Sequence, residues 1–146
     1  MSKKILSALI LLISSFTTPL YADEASISIE NAWIAEAPPA SKTMVAYMTI
    51  KNTGNKTVTI TKAECGLFSN LEFHESTHKN GTAKMIRHDE IKIPPHKSVQ
   101  LKQGGKHLML FNPKQSLKTG DRARMKLTTK SHDTKTIVIT VKKATF

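Results

Sequence analysis

The stretch "LEFHESTHKNGTAKMIRHDEI", Leu71 to Ile91, decides the fold class of this chain. At its centre stands Asn80-Gly81. A two-residue type I′ turn needs positive φ at both central positions, and Asn-Gly is the strongest short signal for it. The flanking "LEFHEST" and "AKMIRHDEI" then read as two antiparallel strands. With Asn80 and Gly81 in the turn, facing residues have numbers that sum to 161, so Met85 faces Ser76. His74 lies two residues before Ser76 and shares its face. His74 and Met85 are therefore diagonal neighbours, with backbones about 7–8 Å apart and side chains long enough to meet.

The same short-strand rhythm runs outward in both directions. "ASISIEN", "TMVAYMTIKN" and "KTVTITKAEC" precede the hairpin, the last with Val58, Ile60 and Ala63 on its buried side. "SVQL", "KHLMLF", "RARMKLTTK" and "TKTIVITVKK" follow it. Turn signals at "NTGN", "QGG", "KTGD" and "SHD" separate them. No segment keeps a helical period. About eight to nine short strands in close succession predict an all-β sandwich or barrel. "APPAS", residues 37–41, reads as a loop at a sheet edge, where a proline removes no ladder bond.

A second pair of unusual residues sits in "GGKHLMLF", Gly104 to Phe111. His107 and Met109 are two apart on a strand and so point to one face. The two pairs match in kind: His74 with Met85, His107 with Met109. Two imidazoles and two thioethers form a soft donor set, which selects Cu(I) among biological metals. Zinc favours thiolate, imidazole or carboxylate, and calcium and magnesium favour oxygen. A blue-copper centre needs a cysteine thiolate close to a histidine and a methionine in sequence, and Cys65 has no such neighbours. On residues alone a second reading stands beside the metal one. Methionine is a common core filler, and a strand histidine is often structural. Met44 and Met48 share strand parity and read as core, as does Trp33 as an apolar anchor. Among the remaining histidines, His78 shares parity with His74 and is the best additional weak ligand; His88, His96 and His132 read as surface residues.

The first residues are of another kind. "MSKK" is a basic start, and "ILSALILLISSF" is an apolar run too short to span a bilayer comfortably. "TTPLYA" then ends at Ala22 before Asp23-Glu24. The pattern is that of a cleaved secretory signal peptide over residues 1–22, leaving residues 23–146 as one domain. Removing Lys3 and Lys4 takes 22 basic residues to 20 against 11 acids, so the formal charge falls from +11 to +9. Nucleic acid is nevertheless not the expected partner. The basic residues are scattered, and two Tyr, five Phe and one Trp give no base-stacking pattern. The single cysteine, Cys65 in "AECGLF", forbids an internal disulfide and reads as a buried small apolar residue. No nucleophile–base set or paired acids are visible, and "QGGKH" is too short for a phosphate loop. The chain reads as a binding protein and not an enzyme.

The spacing His74, ten residues, Met85, twenty-one residues, His107, one residue, Met109 resembles the signature of the periplasmic copper chaperone family PCu(A)C. The context is similar too: "NAWIAEAPPASKTMVAYMTIKNTG" resembles that family's N-terminal strand pair, and "GGKHLMLF" with "LKTGD" its C-terminal half. The resemblance covers about residues 29–142. It implies a cupredoxin-like β-sandwich in residues 23–146 that binds one Cu(I) through His74, Met85, His107 and Met109. It also implies a periplasmic protein that delivers copper, notably to the copper centre of cytochrome c oxidase; the expected partner is a copper-accepting or copper-donating periplasmic or membrane protein, and the expected state is a monomer. Copper storage or resistance, or a metal-free interaction module, are the alternatives. The His- and Met-rich tail of some members has no counterpart in "VKKATF".

Overall fold

Alternation of buried and exposed residues organises the chain. In the computed structural model, which describes residues 26–144, ten strands follow one another. They are β1 (Ile27–Ala35), β2 (Thr43–Asn52), β3 (Val58–Cys65), β4 (Phe68–Lys79) and β5 (Thr82–His88). After these come β6 (Ile91–Ile93), β7 (Ser98–Leu101), β8 (Lys106–Pro113), β9 (Arg122–Thr129) and β10 (Thr134–Lys142). The signal peptide expected over residues 1–22 lies outside the described residues.

The strands are bonded in the order β5-β4-β8-β2-β1-β10-β9-β3-β6. β2 is long enough to hold two partners: Thr43 to Ala46 pair with β8, and Met48 to Lys51 with β7. All pairings are antiparallel except β1 with β10. Every strand but β5 sends side chains into one core. A sheet can bring one face of so many strands together only by folding over on itself into two layers. Met44, Ala46, Met48 and Ile50 of β2 and Ala123, Met125 and Leu127 of β9 show the period of two directly. Cys65 belongs to the same core, as expected. In β3 the period breaks: Ile60 and Ala63 are both buried although of opposite parity. A register shift between Ile60 and Lys62 supplies the extra residue.

Two expectations change. "AKMIRHDEI" is not one strand. β5 stays beside β4, but the chain crosses at Asp89-Glu90, and β6 pairs with β3 through Ile91↔Ile60 and Ile93↔Val58. Ile91 and Ile93 alternate around exposed Lys92 and enter the core, whereas β5 buries nothing. Among the described residues the count is therefore ten strands rather than eight to nine. Trp33 is not a core anchor either. Its neighbour Ile34 takes the inward position, fully buried, while half-buried Trp33 pairs with Tyr47, ring centroids 5.0 Å apart.

Among the described residues one polar side chain lies wholly inside. Asn52, at the end of β2, is 0 % exposed. Its Nδ2 donates toward the carbonyls of Lys56, Ile93 and Pro94 at 2.7, 2.9 and 3.1 Å, and its Oδ1 accepts from the Gly54 amide at 2.9 Å. It ties the β2–β3 turn to the end of β6.

Candidate metal centre

The hairpin forms as its sequence requires. Asn80 and Gly81 take φ of 52° and 76°, and β4 pairs with β5 through Ser76↔Met85 and His74↔Arg87. His74 and Met85 are diagonal on one face. The second half of the arrangement comes from β8, on the other side of β4. There His74 pairs with His107, and Glu72 with Met109. The imidazoles face one another, with ring centroids 6.1 Å apart and planes inclined by 30°.

Parity places these side chains relative to the core. Leu108, Leu110 and Phe73 are inward and buried. His107 and Met109 on β8, and His74 on β4, alternate with them and take the opposite face. β4, β5 and β8 thus bring all four expected residues to the outward face of one layer. They differ in depth. His107 is 6 % exposed, His74 and Met109 are half-buried, and Met85 on edge strand β5 is 56 % exposed.

Each histidine is held through one nitrogen. His107 Nδ1–H donates to the Gly105 carbonyl at 2.9 Å, which leaves Nε2 with the lone pair. The same carbonyl accepts from the Ser76 amide at 3.0 Å, so it joins the turn before β8 to β4. That turn depends on Gly104, whose φ of 73° suits a residue without a Cβ. His74 Nε2 lies 2.9 Å from Glu72 Oε2. Its Nδ1 is buried and has no hydrogen-bond partner. The other Glu72 oxygen accepts from Asn70 Nδ2 at 2.9 Å and lies 3.5 Å from Arg87 Nη1. The hydrogen bond from His74, then the Arg87 charge and Asn70, hold the Glu72 carboxyl below its ordinary range. Phe111 closes the apolar side, its ring centroid 6.3 Å from that of His74.

This arrangement suits a soft cation. A buried nitrogen with no partner is costly unless something else occupies it. Two imidazoles and two thioethers on one face are the donors Cu(I) accepts. Among the described residues no three of His, Cys, Asp and Glu come together as a metal site. The other candidates fall elsewhere. Met44, Met48 and Met125 are core. His78 is on the face of His74 but exposed, and His96 and His132 are exposed. His88, expected at the surface, is half-buried and bonds Glu75 at 2.7 Å beside Lys106. A cleft of about 440 Å³ lies between the 37–42 loop and residues 112–118 and includes none of the four. Sequence reading missed Glu72 and the Gly105 carbonyl. Glu72 has the parity of His74, but its place opposite Met109 follows only from the β4–β8 register.

Comparisons with known proteins agree with this all-β fold. The family described as "Putative lipoprotein LpqE-like" matches residues 27–141. "Putative lipoprotein Lxx21020" of Leifsonia xyli subsp. xyli is 29% identical over 117 residues, which is 80% of this chain and 69% of that protein. Among solved structures, the copper-bound PCuAC domain from PmoF2 superposes with a TM-score of 0.69 at 22% identity. The match covers 84% of this chain and 97% of that one. The solution structure of CuI-DR1885 from Deinococcus radiodurans gives 0.64 at 27% identity, over 82% of this chain and 78% of that one. The chain belongs to the LpqE-like family, and its all-β fold is that of the PCuAC copper chaperone domains.

Proposed function

We propose that this protein is an exported copper chaperone that carries one Cu(I) on the outward face of β4, β5 and β8. His74, Met85, His107 and Met109 are the ligands. The observation that carries the reading is the convergence of these four on one face, with His74 and His107 directly opposed and His74 Nδ1 buried without a partner. Residues 1–22 act as the cleaved signal that takes residues 23–146 to the periplasm. The description of related proteins as lipoproteins supports export. The acceptor is a periplasmic or membrane copper protein, the copper centre of cytochrome c oxidase above all.

Carriage and release follow from the donors. Thioethers bind without losing a proton, so Cu(I) is held without competition from protons at sulfur. Cu(I) is soft and favours sulfur and imidazole, and an acceptor with thiolates or imidazoles can replace ligands in turn. Met85 is the ligand placed to leave first. It is the most exposed of the four, on an edge strand that buries nothing in the core.

Anaerobic titration with Cu(I) against a chromogenic Cu(I) chelator tests this. The wild-type protein should withhold one equivalent. Met109→Leu should lower the affinity at least tenfold while changing stability by less than about 1.5 kcal/mol, because the two side chains have similar volume. A wild-type protein that withholds no copper, or a Met109→Leu protein that binds as tightly as wild type, would sink the proposal.

A further inference from the structure

We infer that Glu72 is a positioning residue that fixes His74 as its Nε2–H tautomer, so that copper is taken through Nδ1 of His74 and Nε2 of His107. The inference rests on the copper-site reading above and names the atoms it uses. A carboxylate only accepts hydrogen bonds, so the 2.9 Å contact between His74 Nε2 and Glu72 Oε2 requires the proton on Nε2. The lone pair then belongs to Nδ1, the atom left buried and unpartnered. A proton placed on Nδ1 instead would be a buried donor with no acceptor. His107 is fixed in the opposite sense, because its Nδ1–H is held by the Gly105 carbonyl at 2.9 Å.

Glu72 is built for this task. It is two residues from His74 on the same face of β4, so the strand itself sets the spacing. Oε2 serves His74, while Oε1 is occupied by Asn70 at 2.9 Å and approached by Arg87 at 3.5 Å. Arg87 extends from β5 directly opposite His74, so the carboxylate also links the ring to the strand that carries Met85. Both oxygens are committed, and Cu(I) favours nitrogen and sulfur over carboxylate. Glu72 thus stands across from Met109 without being a ligand itself. A carboxylate behind a metal-binding imidazole orients the ring and raises its basicity; losing such a partner lowers metal affinity about 10–100-fold.

Long-range proton–nitrogen NMR on the ¹⁵N-labelled metal-free protein reads the tautomer directly. Wild-type His74 should show the Nε2–H form, His107 the Nδ1–H form, and Cu(I) should shift His74 Nδ1 and His107 Nε2. Glu72→Ala should release His74 to a mixture of tautomers and weaken Cu(I) binding about 10–100-fold in the chelator competition. Glu72→Gln, whose amide oxygen still accepts from Nε2–H, should restore most of both. A wild-type His74 protonated on Nδ1 overturns the inference without any variant, so a poorly folding Glu72→Ala cannot shelter it. An unchanged tautomer in folded Glu72→Ala also overturns it. If the wild-type protein binds no Cu(I), the copper reading fails whatever the tautomer. If it binds Cu(I) and the tautomer is wrong, only the role of Glu72 fails.

Discussion

Asn52 and His74 both hold polar atoms out of water, and the fold treats those atoms in opposite ways. Asn52 is fully buried, and every hydrogen-bonding group it owns is used: three carbonyls lie around its Nδ2, and one amide donates to its Oδ1. His74 is fixed at Nε2 by Glu72, while its Nδ1 is buried with nothing to bond. A satisfied buried group closes a structure. An unsatisfied one leaves it open to a ligand, provided the surrounding atoms are donors of the same preference. Thr129 supplies the control, since its Oγ1 is also buried and unpartnered. It stands at the end of β9, away from the opposed histidines, and marks no site.

The sharpest way to break this comparison is at Asn52. Asn52→Ala removes the shared donor from three carbonyls and the acceptor from the Gly54 amide. The amide has two protons to share among the carbonyls and one oxygen that accepts, so three bonds at roughly 1 kcal/mol each give an expected destabilisation of about 3 kcal/mol. Urea unfolding followed by tryptophan fluorescence would measure it. Cu(I) affinity should not change, because Asn52 serves the β2–β3 turn and β6. A loss of stability below about 1 kcal/mol would mean that satisfaction of these bonds is not what holds the turn.

Thr129 tests the other side with the opposite sign. An unpartnered buried hydroxyl costs stability, and replacing it by a methyl of the same shape is neutral or favourable. Thr129→Val should therefore be neutral or raise stability by up to about 1 kcal/mol, read from the same unfolding curves. A clear destabilisation would show that the hydroxyl has a partner in solution, and that an orphaned atom is a weaker marker than His74 suggests.

These contrasts also explain what could be read from the sequence. The β4–β5 hairpin was legible to the residue, because Asn80-Gly81 fixes register locally and strand parity does the rest. The shared face of His107 and Met109 on β8 was legible from strand parity in the same way. The juxtaposition of His74 with His107 was not, since β4 and β8 are joined through β5, β6 and β7 and no turn sets their register. Glu72 was hidden with it. The break between β5 and β6 was missed because "AKMIRHDEI" keeps a strand-like composition throughout while changing partner from β4 to β3. Trp33 was misplaced for a related reason: hydrophobicity favoured the core, but parity gave that place to Ile34.

The smallest expected effect lies at Glu64, which has partners without burial and so completes the comparison. Its carboxylate bridges Lys62 at 2.7 Å and Lys126 at 3.1 Å, joining β3 to β9 on their exposed side. Hydrogen bonds from Lys62 and then Lys126 hold its pKa below the ordinary 4.5. A depressed folded-state pKa contributes stability above the unfolded value, and that contribution is lost as pH falls through the folded one. Glu64→Gln should therefore lower the urea midpoint slightly at neutral pH, and the difference should shrink as pH falls below the ordinary carboxylate range and through the lowered folded-state pKa. Added salt at neutral pH should shrink the difference, because exposed pairs are screened. A difference as large as that for Asn52→Ala would mean that water is excluded from this bridge. The bridge would then be both partnered and dry, as Asn52 is, and bonding together with burial, not bonding alone, would set the stability of a polar group.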